Sequence, residues 1–210
     1  MNIRLGIYDI FSRIVPGAFY LLAFIQFAII LGWMQFDWRT FADIGVFLSF
    51  GLVVIAYIVG TVMDPFSSAW HRLFAKRGIS ARVLNECKEI HADRWVIDFE
   101  DKDWPILRAY IGVQKPDVAS DIDRNNALCI MLRNISLGLF MIAASEIIQF
   151  AKLFNWVHIL IAVVLVVLSF QTAIRARTLR QWFYSGILET ILAFRLDLEE
   201  RVKPIGKRKK

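Results

Sequence analysis

Four apolar runs alternate with polar segments along this chain, over residues 14–34, 44–63, 128–148 and 156–174. Each has about the 17–25 residues a helix needs to cross a hydrocarbon core about 30 Å thick. Leu, Ile, Val, Phe and Ala dominate them and charges are scarce, so the pattern predicts membrane helices. The stretch that orders the rest is 117–149. Its first half is polar, its second half is apolar, and no Gly or Pro intervenes before Gly138. It reads as one helix that begins in water and ends inside a bilayer. The expected fold is all-α: four transmembrane helices, a small helical cytoplasmic lobe between spans two and three, and a cytoplasmic C-terminal helix. The expected divisions are 1–63 (an interfacial helix with spans one and two), 64–126 (the helical insert), 127–174 (spans three and four) and 175–210 (a basic tail with an amphipathic helix).

Finer signals fill in these blocks. Ile7, Ile10, Phe11 and Ile14 recur at helical spacing between Arg4, Asp9 and Arg13, as in a short interfacial helix. Pro16-Gly17 then either breaks the path into span one or supplies the proline of its first turn. The first run is too long for a signal-peptide core and no small-residue cleavage site follows, so it is expected to remain as a span. Small or polar residues in span two, Gly45, Ser49, Ala56 and Gly60, share one face; Asn134, Gly138, Ser145 and Gln149 in span three repeat the same spacing. Small faces let helices approach closely in lipid. The matched spacing predicts an antiparallel pair with Gly45 opposite Gln149, Ser49 opposite Ser145, Ala56 opposite Gly138 and Gly60 opposite Asn134. Span four shows no polar stripe and is expected to face lipid. In the insert, Asp64-Pro65 starts a helix that Gly78 stops, Ser80 caps another, and Asp103 precedes a third that ends at Gly112. Trp95-Val96-Ile97 reads as a short strand or an extended connector, and residues 182–194 as a helix too short to span.

Charge orients the scheme. Of 25 Lys and Arg, all but Arg39 and Lys152 fall in the N-terminus, the insert with its junction, and the tail. The positive-inside rule therefore places both termini and the lobe in the cytoplasm. The insert is near neutral, whereas the tail carries the whole net charge of +6, which suits an anionic inner leaflet. No extended nucleic-acid partner is expected, because the lobe has no basic and aromatic surface. A small nucleotide signal needs only a few arginines and stays open as a trigger, beside a cytoplasmic protein partner.

No catalytic residue, metal site or cofactor is expected. The chain has no phosphate-binding glycine loop, no nucleophile elbow and no paired-histidine zinc motif, so an enzyme is not expected. Cys87 and His91 have ligand spacing but no second pair, and both cysteines should be reduced thiols. The acidic run Asp98, Glu100, Asp101 and Asp103 lacks the glycine and terminal Glu of a calcium loop, so it reads as a solvated loop with a helix cap. Chemistry is sought instead among polar residues of the spans: Gln26, Ser49, Asn134, Ser145, Glu146 and Gln149, with Gly45, Ala56, Gly60 and Gly138 serving helix packing. Glu146 comes first, because ionisable groups within spans are costly. It reads as a carboxylate at a pore mouth, as a proton site, or as a side chain snorkelling to the outer interface beside Asp37 and Asp43. Arg133 either contacts lipid phosphate or pairs with an acid of the lobe. With Arg124, it is the candidate coupling of the lobe to span three.

The string DIDRNNALCIMLRN leading into a span, after the YIVGTVMDPFS exit and a polar insert, resembles small prokaryotic four-span membrane proteins. The layout also resembles membrane effectors of bacterial antiphage systems. That resemblance implies a homo-oligomer in the bacterial inner membrane that permeabilises or depolarises it when a cytoplasmic trigger arrives. The residues leave two expectations: a gated channel or pore-forming effector, or a non-conducting anchor that recruits a cytoplasmic protein.

Overall fold

The apolar runs fold as helices, and among the described residues three helices are long and apolar enough to cross a membrane. The structure, a computed structural model, describes residues 3–35, 45–74, 78–92, 95–97, 99–194 and 202–204. In order these form α1 (Ile3–Ile30), α2 (Val46–Val62), α3 (Asp64–Phe74), α4 (Ile79–Ile90), β1 (Trp95–Ile97), a 3-10 turn (Asp101–Asp103), α5 (Trp104–Gln114), α6 (Pro116–Leu153), α7 (Trp156–Ala193) and β2 (Val202–Pro204). The candidate spans are α1 over Ile10–Ile30, α6 and α7; α2 and α3 meet the same criterion together as a pair bent by 50°. Among the described residues the count is therefore three, or four if the bent pair is one span.

Two boundaries differ from expectation. Pro16 sits inside a continuous α1, neither breaking the helix nor starting it. α7 runs from Trp156 to Ala193 and absorbs the separate tail helix; no Gly or Pro interrupts it before Gly186, and its arginines are good helix formers. Of the two readings of Trp95–Ile97 the strand forms, as β1, and it pairs antiparallel with β2; among the described residues the fold is otherwise helical.

The chain forms two compact units, 1–75 with 127–176 and 76–126 with 177–210. α3 thus belongs with the apolar helices, although its sequence grouped it with the polar insert. In the first unit α1 receives the small faces of two neighbours. A Cβ on Gly17 would lie 2.6 Å from the Ala56 carbonyl carbon, and one on Gly60 would lie 2.9 Å from that of Arg13. These two approaches set α1 and α2 antiparallel, backbone against backbone. α6 runs parallel to α1: Asn134 meets Tyr20, Ser145 meets Gln26, and Lys152 meets Ile30. Gly138 faces Phe19, whose Cβ would stand 2.8 Å from an added methyl. These contacts differ from the expected pairing of spans two and three, because Ala56, Gly60 and Gly138 all meet α1 instead. α7 folds back along α6 through reciprocal bonds of Ser136 and Ser169. Its packing stripe is Ala162, Ser169, Ala173 and Ala176, all buried, while Val163, Val164 and Val167 are exposed. The outward face is apolar as expected, but the helix does carry an inward stripe.

The second unit has its own core, including Leu84, Trp104, Leu107, Ile111, Ile187 and Ile191. Gly78, left-handed at φ 76°, precedes α4, and Ser80 falls inside the first turn and does not cap it. Glu100 and Asp103 cap the 3-10 turn reciprocally, and Asp101 accepts a bond from the Trp104 indole at 2.9 Å. The acidic run is therefore turn chemistry over its described members; Asp98 lies outside them. Arg108 Nε donates to Asp123 at 2.8 Å, and Trp104 stacks on Tyr184.

Cys87 lines a cavity of about 110 Å³ with His91, Ser185 and Glu189. Burial, and secondarily the Glu189 carboxylate, push its thiol pKa above the ordinary value. The thiolate fraction at neutral pH is therefore low, and the thiolate is the nucleophile. Alkylation of Cys87 by iodoacetamide is expected to be slower in the native chain than in the denatured one, and Glu189→Gln should speed the native reaction. Peptide mapping separates it from buried Cys129; a rate unchanged by the substitution refutes the carboxylate's part.

Candidate functional site

Two polar layers lie inside the first unit, about 18 Å apart along α6 at 1.5 Å per residue. The layer near the α6–α7 turn is built from three helices. Glu146 Oε2 stands 2.7 Å from His158 Nδ1, and Gln26 Nε2 donates to Glu146 Oε1 at 3.4 Å. The Ser145 hydroxyl donates to Gln26 Oε1 at 2.7 Å. Lys152 Nζ donates to the Ile30 carbonyl, one of the oxygens left without a helical partner where α1 ends. Local sequence explains the convergence. Phe154, at φ 50°, makes the tight reversal after α6. Asn155 Oδ1 then accepts the Val157 N–H and starts α7, which brings His158 back beside Glu146. Trp33, Phe154 and Trp156 are exposed around this end, the residue types that favour a membrane–water boundary. Glu146 itself is only 7% exposed, so it points into the protein instead of snorkelling outward.

The second layer lies where α2 gives way to α3. Asp64 Oδ1 accepts from Arg133 at 2.6 Å and from Asn134 Nδ2 at 3.0 Å. The Tyr20 hydroxyl donates to Asn134, at 2.9 Å to its carbonyl and 3.1 Å to Oδ1. Arg133 thus pairs with an acid, but that acid is the first residue of α3 and belongs to the first unit, not to the lobe. Beside this pair, the Trp70 indole donates to Ser136 Oγ at 3.1 Å, and its ring lies 4.4 Å from that of Phe140. Phe74 packs edge-on against Phe170. Asp64 and Trp70 thus fasten α3 to α6 at two points.

The remaining candidates are dispersed. Ser49 is exposed and bonds the Gly45 carbonyl of its own helix, and Gly45 has open space around it. Gln149 is half-exposed, and Arg124 is exposed on the second unit. Ala56, Gly60 and Gly138 do serve helix packing, with α1 as the partner. Asp37 and Asp43 lie outside the described residues. Among the described residues no three His, Cys, Asp or Glu side chains converge as a metal site. The polar layers also draw in Tyr20, Ser136, Ser169 and His158, none of them a candidate in the sequence. For His158 a signal existed: it is the lone ionisable residue of the fourth apolar run, placed just beyond a short turn from Glu146. No family model, curated protein or solved structure matches this chain.

Proposed function

We propose that this chain is a multi-pass protein of the bacterial inner membrane that assembles as a homo-oligomeric channel or pore-forming effector, with both termini cytoplasmic and a cytoplasmic trigger acting on its lobe. The observation that carries the reading is the buried Glu146–His158 pair, tied to α1 through Gln26 and Ser145. An ionisable pair inside an apolar bundle is costly and marks a functional position by default. Held within one protomer, these groups close the turn end of the bundle; separating α1 from α6 and α7 would free a carboxylate, an imidazole and two amide or hydroxyl groups to line a polar path. The bilayer and further copies of the chain are the partners this requires, and no cofactor is involved. A role in antiphage defence follows from the likeness in layout to membrane effectors of such systems.

Ion flux through proteoliposomes tests this reading. Glu146→Gln removes the charge-assisted bond to His158, worth about 1.5–3 kcal/mol. The closed-to-open balance is therefore expected to move by about 10- to 100-fold, seen as trigger-independent flux. Flux absent from both wild type and variant, with or without cytoplasmic extract, refutes conduction. A second reading, a non-conducting anchor, is favoured by one feature of the second unit. Ile106, Ala109 and Val113 form an exposed apolar stripe on α5, suited to a protein partner. Under that reading Glu146→Gln leaves membranes tight, and a charge at Ile106 releases a cytoplasmic protein that co-purifies with the wild type.

A further inference from the structure

α3 has its polarity turned inside out. Ser67 and His71 are 0% and 5% exposed, and Asp64 is held by Arg133 and Asn134, whereas Phe66 and Leu73 are 61% and 74% exposed. Phe66, Ala69 and Leu73 follow one another at helical spacing on the outer face, with Arg72 exposed at its margin. An amphipathic helix surrounded by water turns its apolar face inward. This one buries Ser67 and His71 beside the rings of Trp70 and Phe74 and turns Phe66 and Leu73 outward, as a helix bordered by hydrocarbon would. The same outward face continues from α2, where Phe50, Ile58 and Val62 are exposed and Met63 alone separates the two helices.

We infer that α3 lies within the bilayer leaflet nearest the Asp64–Arg133 layer, with Phe66, Ala69 and Leu73 against acyl chains and Arg72 reaching lipid phosphate. Charge favours lipid as the occupant. Arg72 is followed in the sequence by Lys76 and Arg77, a basic end matched to anionic headgroups. The long arginine side chain can leave the apolar face and extend to the headgroup level. The Trp70–Ser136 bond and the Phe74–Phe170 contact hold the helix against α6 and α7, so its outer face is fixed in direction. The bent pair is then a membrane segment that turns along the interface after Asp64 instead of leaving the bilayer there.

The inference rests on the membrane reading of α1, α2, α6 and α7, and one experiment separates the two. The full chain is placed in phosphatidylethanolamine–phosphatidylglycerol vesicles containing a phospholipid with a diazirine on its acyl chain, then irradiated and mapped by peptide. Adducts are expected on Phe66 and Leu73 as well as on Val163 and Val164 of α7. Adducts on α7 with none on α3 overturn this inference and leave the membrane reading standing. Adducts on neither overturn both. In parallel, Leu73→Cys and Ile90→Cys are exposed to a membrane-impermeant maleimide in opened vesicles. Loss of labelling at position 73, with full labelling at 90, is expected. Labelling at both positions places α3 in water and refutes the inference. Position 73 shielded from maleimide together with no lipid adduct means that a second copy or another protein covers the face, which also refutes it.

Discussion

Gly17→Ala is expected to be the most disruptive single-methyl change in this protein. The added Cβ would meet the Ala56 carbonyl carbon at 2.6 Å and its oxygen closer still, and both are backbone atoms of α2. A flexible side chain could rotate away; a helix backbone cannot, so α1 and α2 must separate along their length. Overpacking of this kind costs about 1–3 kcal/mol and occasionally more, and a clash between two backbones belongs at or beyond the upper end. Gly60→Ala should behave alike, since its Cβ would stand 2.9 Å from the Arg13 carbonyl carbon. Gly51→Ala is the control. It lies in the same helix with nothing within 4 Å of the new atom, so it should be neutral or stabilise by roughly 0.5–1 kcal/mol through reduced backbone freedom. Denaturation midpoints in detergent measure all three. Equal midpoints for Gly17→Ala and Gly51→Ala would remove the close approach of α1 and α2 from the account.

The second large effect is expected at the Asp64–Arg133 pair, and it should be asymmetric. Asp64→Ala leaves the guanidinium, whose side chain is 7% exposed, without its counter-charge. Stranding a buried charge in this way costs about 3–5 kcal/mol. Arg133→Met instead leaves Asp64, whose side chain is 35% exposed and which keeps its bond from Asn134, so the loss should be smaller. The double variant Asp64→Leu/Arg133→Met should recover much of the stability lost in Asp64→Ala, because two apolar groups need no desolvated partner. If both single variants lose the same amount and the double loses their sum, the two side chains are not coupled.

The long α6 was legible because nothing in residues 117–137 can break a helix, and Pro116 is tolerated at a first helical position. The Pro16 reading went the other way. A proline inside an apolar stretch is a local signal of a break, but neighbouring helices can satisfy the freed carbonyl, and α1 continues through it. Helix faces were legible too, while their partners were not. The matched spacing of Gly45–Gly60 and Asn134–Gln149 is a property of each helix alone, and a smooth face accepts any partner with a complementary relief. Gly17 with Phe19 and Tyr20 on α1 supplied that relief for both. Glu146 drew notice as an isolated charge, but its environment depended on His158, which reaches it only because Phe154 adopts a left-handed turn.

The sequence by itself determined the apolar segments, the polar-to-apolar course of 117–149, and the residues costly enough in an apolar bundle to demand partners. These follow from composition and period, which are local. Only the tertiary structure decided who those partners are. It set α1 between the small faces, Asp64 against Arg133 and Asn134, and Glu146 against His158. It also moved α3 from the polar insert to the apolar unit, burying Ser67 and His71 and exposing Phe66 and Leu73. The physical reason is common to all four cases. Burial and pairing depend on groups more than a hundred residues away in the chain as readily as on neighbours, as the bonds from Tyr20 to Asn134 and from Gln26 to Glu146 illustrate. α6, polar in its first half, thus ends as the strut to which both polar layers of the first unit are attached.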